Sequence, residues 1–470
     1  MSPQRTHPTA PAAARPDVAY TLDLVLADRR RAVRAAQIAA AAPGPVDVHR
    51  EDWPSVGVPR LRLRAADETS LRWLTHWLRA ELAAGLLSCV DLAMDRSRGG
   101  KTRTRATVAL GDQEDLAFAY TPGVGRVAAR IAGDPGAAAH LTGKNNRVAI
   151  VTDGSAVLGL GNLGPLAALP VMEGKSALFA HLAGIDAVPI CLDTHHVEGI
   201  VAAVTAIAPA FGGINLEDIA APACFAVETR LRDTLDIPVL HDDQHGTAIV
   251  VLAALQNALA VVGKPLPTAR IVVLGAGAAG TAVTRLLLAA GAHDVVVWAP
   301  VGVLHPRINS LPNHKQDLAR LTNPRRVDGG LAEALHDADA VIGVSAAGVL
   351  SRELVSAMAP SPVVFALANP TPEIEPGAIA DLAAVIATGR SDHPNQVNNA
   401  LIFPGLFRGA LDAGRTSFDT PMMLACSQAL AGLVPAPSAD RILPDVLDPR
   451  VVPTVAAAAA TSPSPSDGHP

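Results

Sequence analysis

The run IVVLGAGAAGTAVTRLLLAA at residues 271–290 constrains this chain more than any other stretch. Four apolar residues (271–274) read as a buried strand, and GAGAAG (275–280) follows with no spacer. A helical pattern covers 281–290, and a second apolar strand covers 294–298. A lone GxGxxG is weak, but one set between strand and helix of a βαβ unit points to a parallel sheet that meets a dinucleotide. Gly275 permits the tight turn, Gly277 lets backbone approach a pyrophosphate, and Gly280 allows close helix–strand packing. The helix N-terminus that follows supplies N–H groups to the phosphates, and Ala278 and Ala279 within the turn are expected cofactor contacts. The plainer alternative is a Gly-rich turn with no ligand. An acidic residue for the ribose hydroxyls is expected where the second strand ends; residues 298–300 are Trp-Ala-Pro instead. NAD or NADP is therefore expected, with NADP at least tolerated. His305, Arg307, Lys315, Arg325 and Arg326 lie downstream, either to meet a phosphate or as ordinary surface charges.

At 470 residues the chain exceeds one small core, so two or three domains are expected. Hydrophobic residues make up 49% and charged ones 17%, which suits buried parallel sheets; aromatics at 3% leave the core to Ala, Val, Leu and Ile. A net charge of −6 with no basic stripe argues against nucleic acid. Cys89, Cys191, Cys224 and Cys426 are scattered without a CxxC pair, which argues against structural zinc or a disulfide framework and for a reducing compartment. The apolar stretch 249–262 is broken by Gln256 and Asn257, so no membrane span is expected. Residues 1–16 are Pro/Ala-rich without an apolar signal core and read as a disordered arm. A cytoplasmic protein is expected.

Patterning divides the rest. Strands at 18–26, 46–50, 59–64 and 86–94 interleave with helices at 29–42 and 67–84, giving a small βαββαβ, ferredoxin-like domain at 17–95. A basic linker (96–106) leads to an α/β domain at 107–245. A nucleotide-binding domain at 246–435 follows, with 398–411 returning toward the domain before it. Residues 436–470 form an extension, unstructured from about 454 because TVAAAAATSPSPSDGHP is low in complexity.

Two acidic pairs supply the chemistry. Glu217-Asp218 closes FGGINLED (211–218), and Asp242-Asp243 follows the apolar run 237–240 inside HDDQHGT (241–247). Carboxylates at the carboxyl ends of buried strands face a ligand crevice, where unpaired charge is costly. Several converging there suit a hard divalent cation with oxygen ligands. The alternative is a helix cap at Asp218 and a solvated turn at Asp242-Asp243.

Over 116–433 the chain resembles malic enzyme in its shorter bacterial form. The resemblance rests on AYTPGVG (119–125), TDGSAVLGLGNLGPLAALPVMEGK (152–175), ICLDT (190–194), FGGINLEDI, HDDQHGT, GAGAAG, FALANP (365–370) and GRSDHPNQVNNALIFPG (389–405). Residues 17–95 more loosely resemble an ACT-like regulatory domain. The resemblance implies an α/β fold in which a malic enzyme N-terminal catalytic domain precedes a Rossmann-type NAD(P)-binding domain. It implies oxidative decarboxylation of malate to pyruvate and carbon dioxide, with reduction of NAD or NADP and a Mg²⁺ or Mn²⁺ ion. By match to its motifs, Tyr120 is the catalytic acid, Lys175 the general base, and Asp242 a carboxylate beside that base. Glu217, Asp218 and Asp243 are the metal ligands, while Asn369 and Asn399 contact cofactor or substrate. A homodimer or higher homo-oligomer is implied as well. Alone, a Tyr before Thr-Pro is usually a turn residue, and a Lys after Glu-Gly a solvated charge. Two departures stand out: Ala156 replaces the substrate-binding Arg of longer forms, and His393 replaces the usual Phe. To act as a base, Lys175 must be partly neutral; burial and a cation are expected to lower its pKa, with Asp242 restraining the shift. The competing readings are a metal-independent NAD(P) dehydrogenase of another acid and an inactive regulatory relative.

Overall fold

The computed structural model describes residues 17–52, 58–308 and 310–462. The chain forms two compact units, Met1–Lys101 and Thr102–Pro470. The expected arm at 1–16 lies outside the described residues.

In the first unit, β1 (Thr21–Leu26), helix Arg29–Ala40, β2 (Val46–Asp52), β3 (Pro59–Ala65), helix Glu68–Leu82 and β4 (Leu86–Asp91) run in βαββαβ order. The strands pair antiparallel in the order β2-β3-β1-β4. Strand periodicity places Leu61 and Leu63 in the core while the intervening arginines stay partly exposed. Leu71, Leu74, Leu78 and Leu82 close that core from the second helix. The last strand ends earlier than its apolar run suggests. The Asp91 carboxylate accepts the N–H groups of Ala93 and Met94 and starts a helix, Leu92–Ser97.

The second unit holds two sheets. β5 (Arg147–Thr152), β6 (Asp186–Cys191), β7 (Gly213–Leu216) and β8 (Val239–His241) form a parallel sheet ordered β6-β5-β7-β8. β9 (Arg270–Leu274), β10 (Asp294–Ala299), β11 (Gly302–Val303), β12 (Ala340–Gly343), β13 (Val363–Ala366) and β14 (Val385–Thr388) form the other, ordered β11-β10-β9-β12-β13-β14. Only β11 runs antiparallel there. Counted from β9 this is the doubly wound Rossmann order, whose ligand crevice opens between β9 and β12.

Helix Asp242–Val261 leads from the first sheet into the second. It is long and apolar enough to cross a bilayer, but 67% of its apolar stretch is buried inside the fold. Ile249, Val251, Leu252 and Leu255 make it the spine of the core. Helix Phe403–Asp412 returns to helix Pro165–Ala183, with the Phe179 and Phe403 rings 4.7 Å apart.

The tail corrects the sequence expectation. Residues 454–461 are not unstructured but belong to helix Val451–Thr461, where Val455 and Ala459 are fully buried. Alanine-rich sequence reads as low complexity, yet it is the best helix former and packs closest. Its partner face is glycine: a Cβ on Gly409 would lie 2.2 Å from the Ala456 carbonyl oxygen, and one on Gly405 would lie 2.8 Å from the Val455 Cβ. Gly409→Val should therefore push the terminal helix off, costing about 1–3 kcal/mol as overpacked cores do. Thermal unfolding is expected to show a lower midpoint; an unchanged midpoint would mean that this contact does not hold the helix.

Candidate active site

β7 is buried end to end and stops at Glu217 and Asp218. Asp218 adopts a positive φ of 53°, a conformation Asp tolerates better than most residues. This turns its side chain toward the carboxyl end of the neighbouring β8, where helix Asp242–Val261 begins. The Asp218 N–H donates to Asp243 Oδ2 at 2.9 Å. Carboxylate oxygens of Glu217, Asp218 and Asp243 all lie within 4.8 Å of one another.

Lys175, from helix Pro165–Ala183, is 7% exposed and enters this cluster from the side. Its Nζ lies 2.5 Å from Glu217 Oε1, also donates to Asp242 Oδ2, and sits 4.5 Å from the centre of the Phe403 ring. Asn399 Nδ2 donates to the same Asp242 oxygen at 2.5 Å, and Asn215 Nδ2 donates to Glu217 Oε2 at 2.9 Å. A cavity of about 680 Å³ opens over the cluster. Its walls include Lys175, Glu217, Asp218 and Asp243 from the first half, and Ala279, Asn369 and Asn399 from the second.

Burial and mutual repulsion set the charges. Burial, then the Asp243 and Glu217 charges, push Asp218 up to about 8. Burial raises Asp243 to about 6 and Asp242 to about 6, with the Lys175 charge opposing both. Glu217 is likewise raised, first by burial. For Lys175, burial acts downward as expected, but Asp242, Glu217 and Asp243 outweigh it and hold the ammonium above its ordinary value. The carboxylates alone thus overshoot the expected balance, and lowering the Lys175 pKa falls to a cation. The donor set fits one: three carboxylates, all oxygen, with Asp218 Oδ2 buried and without a hydrogen-bond partner.

The nucleotide turn has the predicted geometry. Gly275 takes φ +112°, where a Cβ would lie 2.6 Å from the Val344 carbonyl oxygen. A Cβ on Gly280 would lie 2.0 Å from the Gly275 carbonyl oxygen, so close helix–strand packing requires glycine. Gly277 caps helix Ala278–Ala289, and a Cβ placed on it would meet nothing within 4 Å, so that face of its backbone is open. Asn369 and the 157–161 loop touch: a Cβ on Gly159 would lie 2.0 Å from the Asn369 carbonyl oxygen. Arg325 is spent on Asp294, at 2.6 Å. His393 lies outside the cavity wall.

Tyr120 stands apart from the cluster. It ends helix Gln113–Ala119, is 67% exposed, and does not line the cavity that holds Lys175. Helices Gln113–Ala119, Gly123–Gly133 and Ala138–Leu141 bury no residue.

Glu373 went unread in the sequence. It is fully buried and accepts the N–H groups of Ser345 at 2.8 Å and Ala368 at 2.9 Å. It thereby ties together the loops leaving β12 and β13 at the cavity. The one signal was an acid four residues beyond Asn369, too common a pattern to carry weight.

Fold and site together define a two-sheet α/β protein in which a dinucleotide turn faces a carboxylate–lysine centre. Two family profiles match: "Malic enzyme, N-terminal domain" over residues 99–232, and "Malic enzyme, NAD binding domain" over 244–462. The chain is 51% identical over 356 residues to an NAD-dependent malic enzyme of Geobacillus stearothermophilus, covering 75% of this chain and 74% of that protein. It is 48% identical over 373 residues to a bifunctional malic/malolactic enzyme of Bacillus subtilis, covering 78% and 91%. The crystal structure of an NAD-dependent malic enzyme from Thermotoga maritima superposes with a TM-score of 0.77 at 46% identity, over 80% of this chain and 100% of that one. The chain belongs to the malic enzyme family.

The raised carboxylates make a pH prediction. Asp218 binds its proton more tightly folded than unfolded, so the cation-free protein loses stability as pH rises from about 4 toward about 8. A cation competes with those protons and binds better over the same interval. The rise in thermal midpoint on adding Mn²⁺ should be larger at pH 8 than at pH 5.5. Equal shifts at both would show that these carboxylates do not bind the ion.

Proposed function

We propose that this protein oxidatively decarboxylates malate to pyruvate and carbon dioxide while reducing NAD or NADP, with Mg²⁺ or Mn²⁺ on Glu217, Asp218 and Asp243. The observation that carries this reading is Lys175 Nζ, 2.5 Å from Glu217 and bonded to Asp242, in the cavity wall beside the three-carboxylate cluster. The malic enzymes that match this chain, named as NAD-dependent in one case and malic/malolactic in another, support the substrate.

When bound, the cation supplies Lewis acidity toward malate's hydroxyl and carboxylate oxygens, and the dinucleotide supplies a hydride acceptor. Lys175, once neutral, takes the proton of the malate C2 hydroxyl. Asp242, held by Asn399, keeps the Nζ aimed at that oxygen and stabilises the ammonium that forms. Asn369 stands in the same wall beside Ala279, between the substrate end and the nucleotide turn. Loss of carbon dioxide from the keto acid leaves an enolate whose C3 needs a proton, and Tyr120 is the acid assigned to it.

Tyr120 reaches that carbon from a second copy of the chain in this reading. Leu116, Phe118, Tyr120 and Val124 form an exposed apolar run, and Leu158 in the cavity wall is exposed together with Leu160, Leu163 and Leu166 just after it in the chain. Docking one on the other removes both surfaces from water and brings the Tyr120 hydroxyl to a cavity whose described lining holds no tyrosine. A homodimer is therefore the working unit. The small βαββαβ unit is read as an ACT-like regulator of this activity. The four free cysteines are in keeping with a cytoplasmic location.

Lys175→Ala and Tyr120→Phe should each cost at least ~10²–10⁴-fold in malate-dependent NAD(P)H formation, the usual contribution of a positioned base or acid. Mixing the two inactive variants and allowing subunit exchange should restore activity. A mixed dimer then holds one cavity with both Lys175 and Tyr120. No recovery after verified exchange would place both residues in one chain's site, and a near-normal rate in either variant would remove its role.

A further inference from the structure

We propose that Glu228, which lies outside the cation cluster, is the positioning residue that aims Asp242 and Asp243 in opposite directions, one at the base and one at the cation. This rests on the reading of Glu217, Asp218 and Asp243 as a cation site.

Helix Asp242–Val261 has His241 as its N-cap, so Asp242 and Asp243 are its first two residues, followed by Gln244 and His245. The His241 side chain makes no capping hydrogen bond. Glu228, from helix Ala223–Thr234, does the holding instead. Its Oε1 accepts the His241 N–H at 3.0 Å, and its Oε2 accepts from Gln244 Nε2 at 3.1 Å and faces His245 Nε2 at 3.0 Å. One carboxylate thus grips the residue before the acidic pair and the two residues after it. The pair is fixed between those grips: Asp242 turns to Lys175 and Asn399, while Asp243 turns to the Asp218 N–H.

Glu228 is 5% exposed, and a buried carboxylate persists only where donors offset its lost hydration. Burial alone raises its pKa, but the His245 and His241 charges and hydrogen bonds reverse that and hold it below its ordinary value, so it remains an ionised acceptor. Nothing in the catalytic steps uses this charge. Its three bonds all go to the turn that carries Asp242 and Asp243, which is the arrangement by which outer carboxylates orient metal ligands.

The test reads cation binding in the absence of substrate, so that turnover plays no part. Free Mn²⁺ is followed by electron paramagnetic resonance in titrations of wild type, Glu228→Ala and Glu228→Gln, alongside fluorescence titrations with NADPH. Glu228→Ala should weaken Mn²⁺ binding by about 10–100-fold, as loss of an outer-shell partner does, with NADPH binding unchanged. Glu228→Gln, which can still accept the His241 N–H, should fall between. Wild-type Mn²⁺ affinity in Glu228→Ala overturns the inference, and so does a parallel loss of Mn²⁺ and NADPH binding, which marks a framework residue. If Glu228→Ala does not fold, Glu228→Gln decides: weaker Mn²⁺ with intact NADPH binding supports the proposal, and equal Mn²⁺ binding overturns it. Failure of the wild type itself to bind Mn²⁺ defeats the cation-site reading instead.

Discussion

The arrangement of this protein turns on an imbalance of buried charge. Glu217, Asp218, Asp242 and Asp243 gather around the ammonium of Lys175, which contacts Glu217 and Asp242; all but the fully buried Asp242 line the cavity. Carboxylates this close cannot all ionise without compensation: burial first, and then the Asp243 and Glu217 charges, push Asp218 up to about 8. In the proposed reading a divalent cation would resolve this conflict and relieve Lys175 of the negative field that keeps it protonated, so that metal ligation and general-base readiness become one electrostatic problem.

The fold exists around that cluster in a specific way. Parallel strands β5, β7 and β8 all end on the same side, so the residues just beyond them converge without long loops. The second sheet presents its own switch point, between β9 and β12, to the same cavity. Contacts such as Gly159 against Asn369, where only glycine leaves room, bring the two halves to van der Waals distance. Helix Asp242–Val261 serves both roles, with ligands at its start and the core spine along its length.

What was legible in the sequence followed from local physics. A strand, three glycines and a helix can hardly form anything but the nucleotide turn, and the period-two and helical leucines of residues 59–82 define their elements. The acids after β7 and β8 were conspicuous because apolar runs precede them. Other features had no local signature. Tyr120 sits in a well-marked motif, yet nothing local in that motif foretells its exposed position away from the cavity. The helix at Val451–Thr461 looked like low-complexity tail because its partner glycines, Gly405 and Gly409, lie far away in sequence. Glu228 and Glu373 are single acids within ordinary helix and loop sequence, and only tertiary hydrogen bonds reveal their work.

The absent carboxylate at Ala299 leaves the ribose end of the nucleotide site without the usual acceptor. The chemistry at the other end of the dinucleotide does not depend on that position. In the proposed reading that chemistry reduces to one ion shared by protein and substrate. The most direct test is equilibrium binding of Mn²⁺ with and without malate. This account requires one saturable ion per chain, bound more tightly when malate is present and lost in Asp218→Asn. An ion that binds indifferently to malate, or malate oxidation that proceeds at full rate in a chelator, would contradict it.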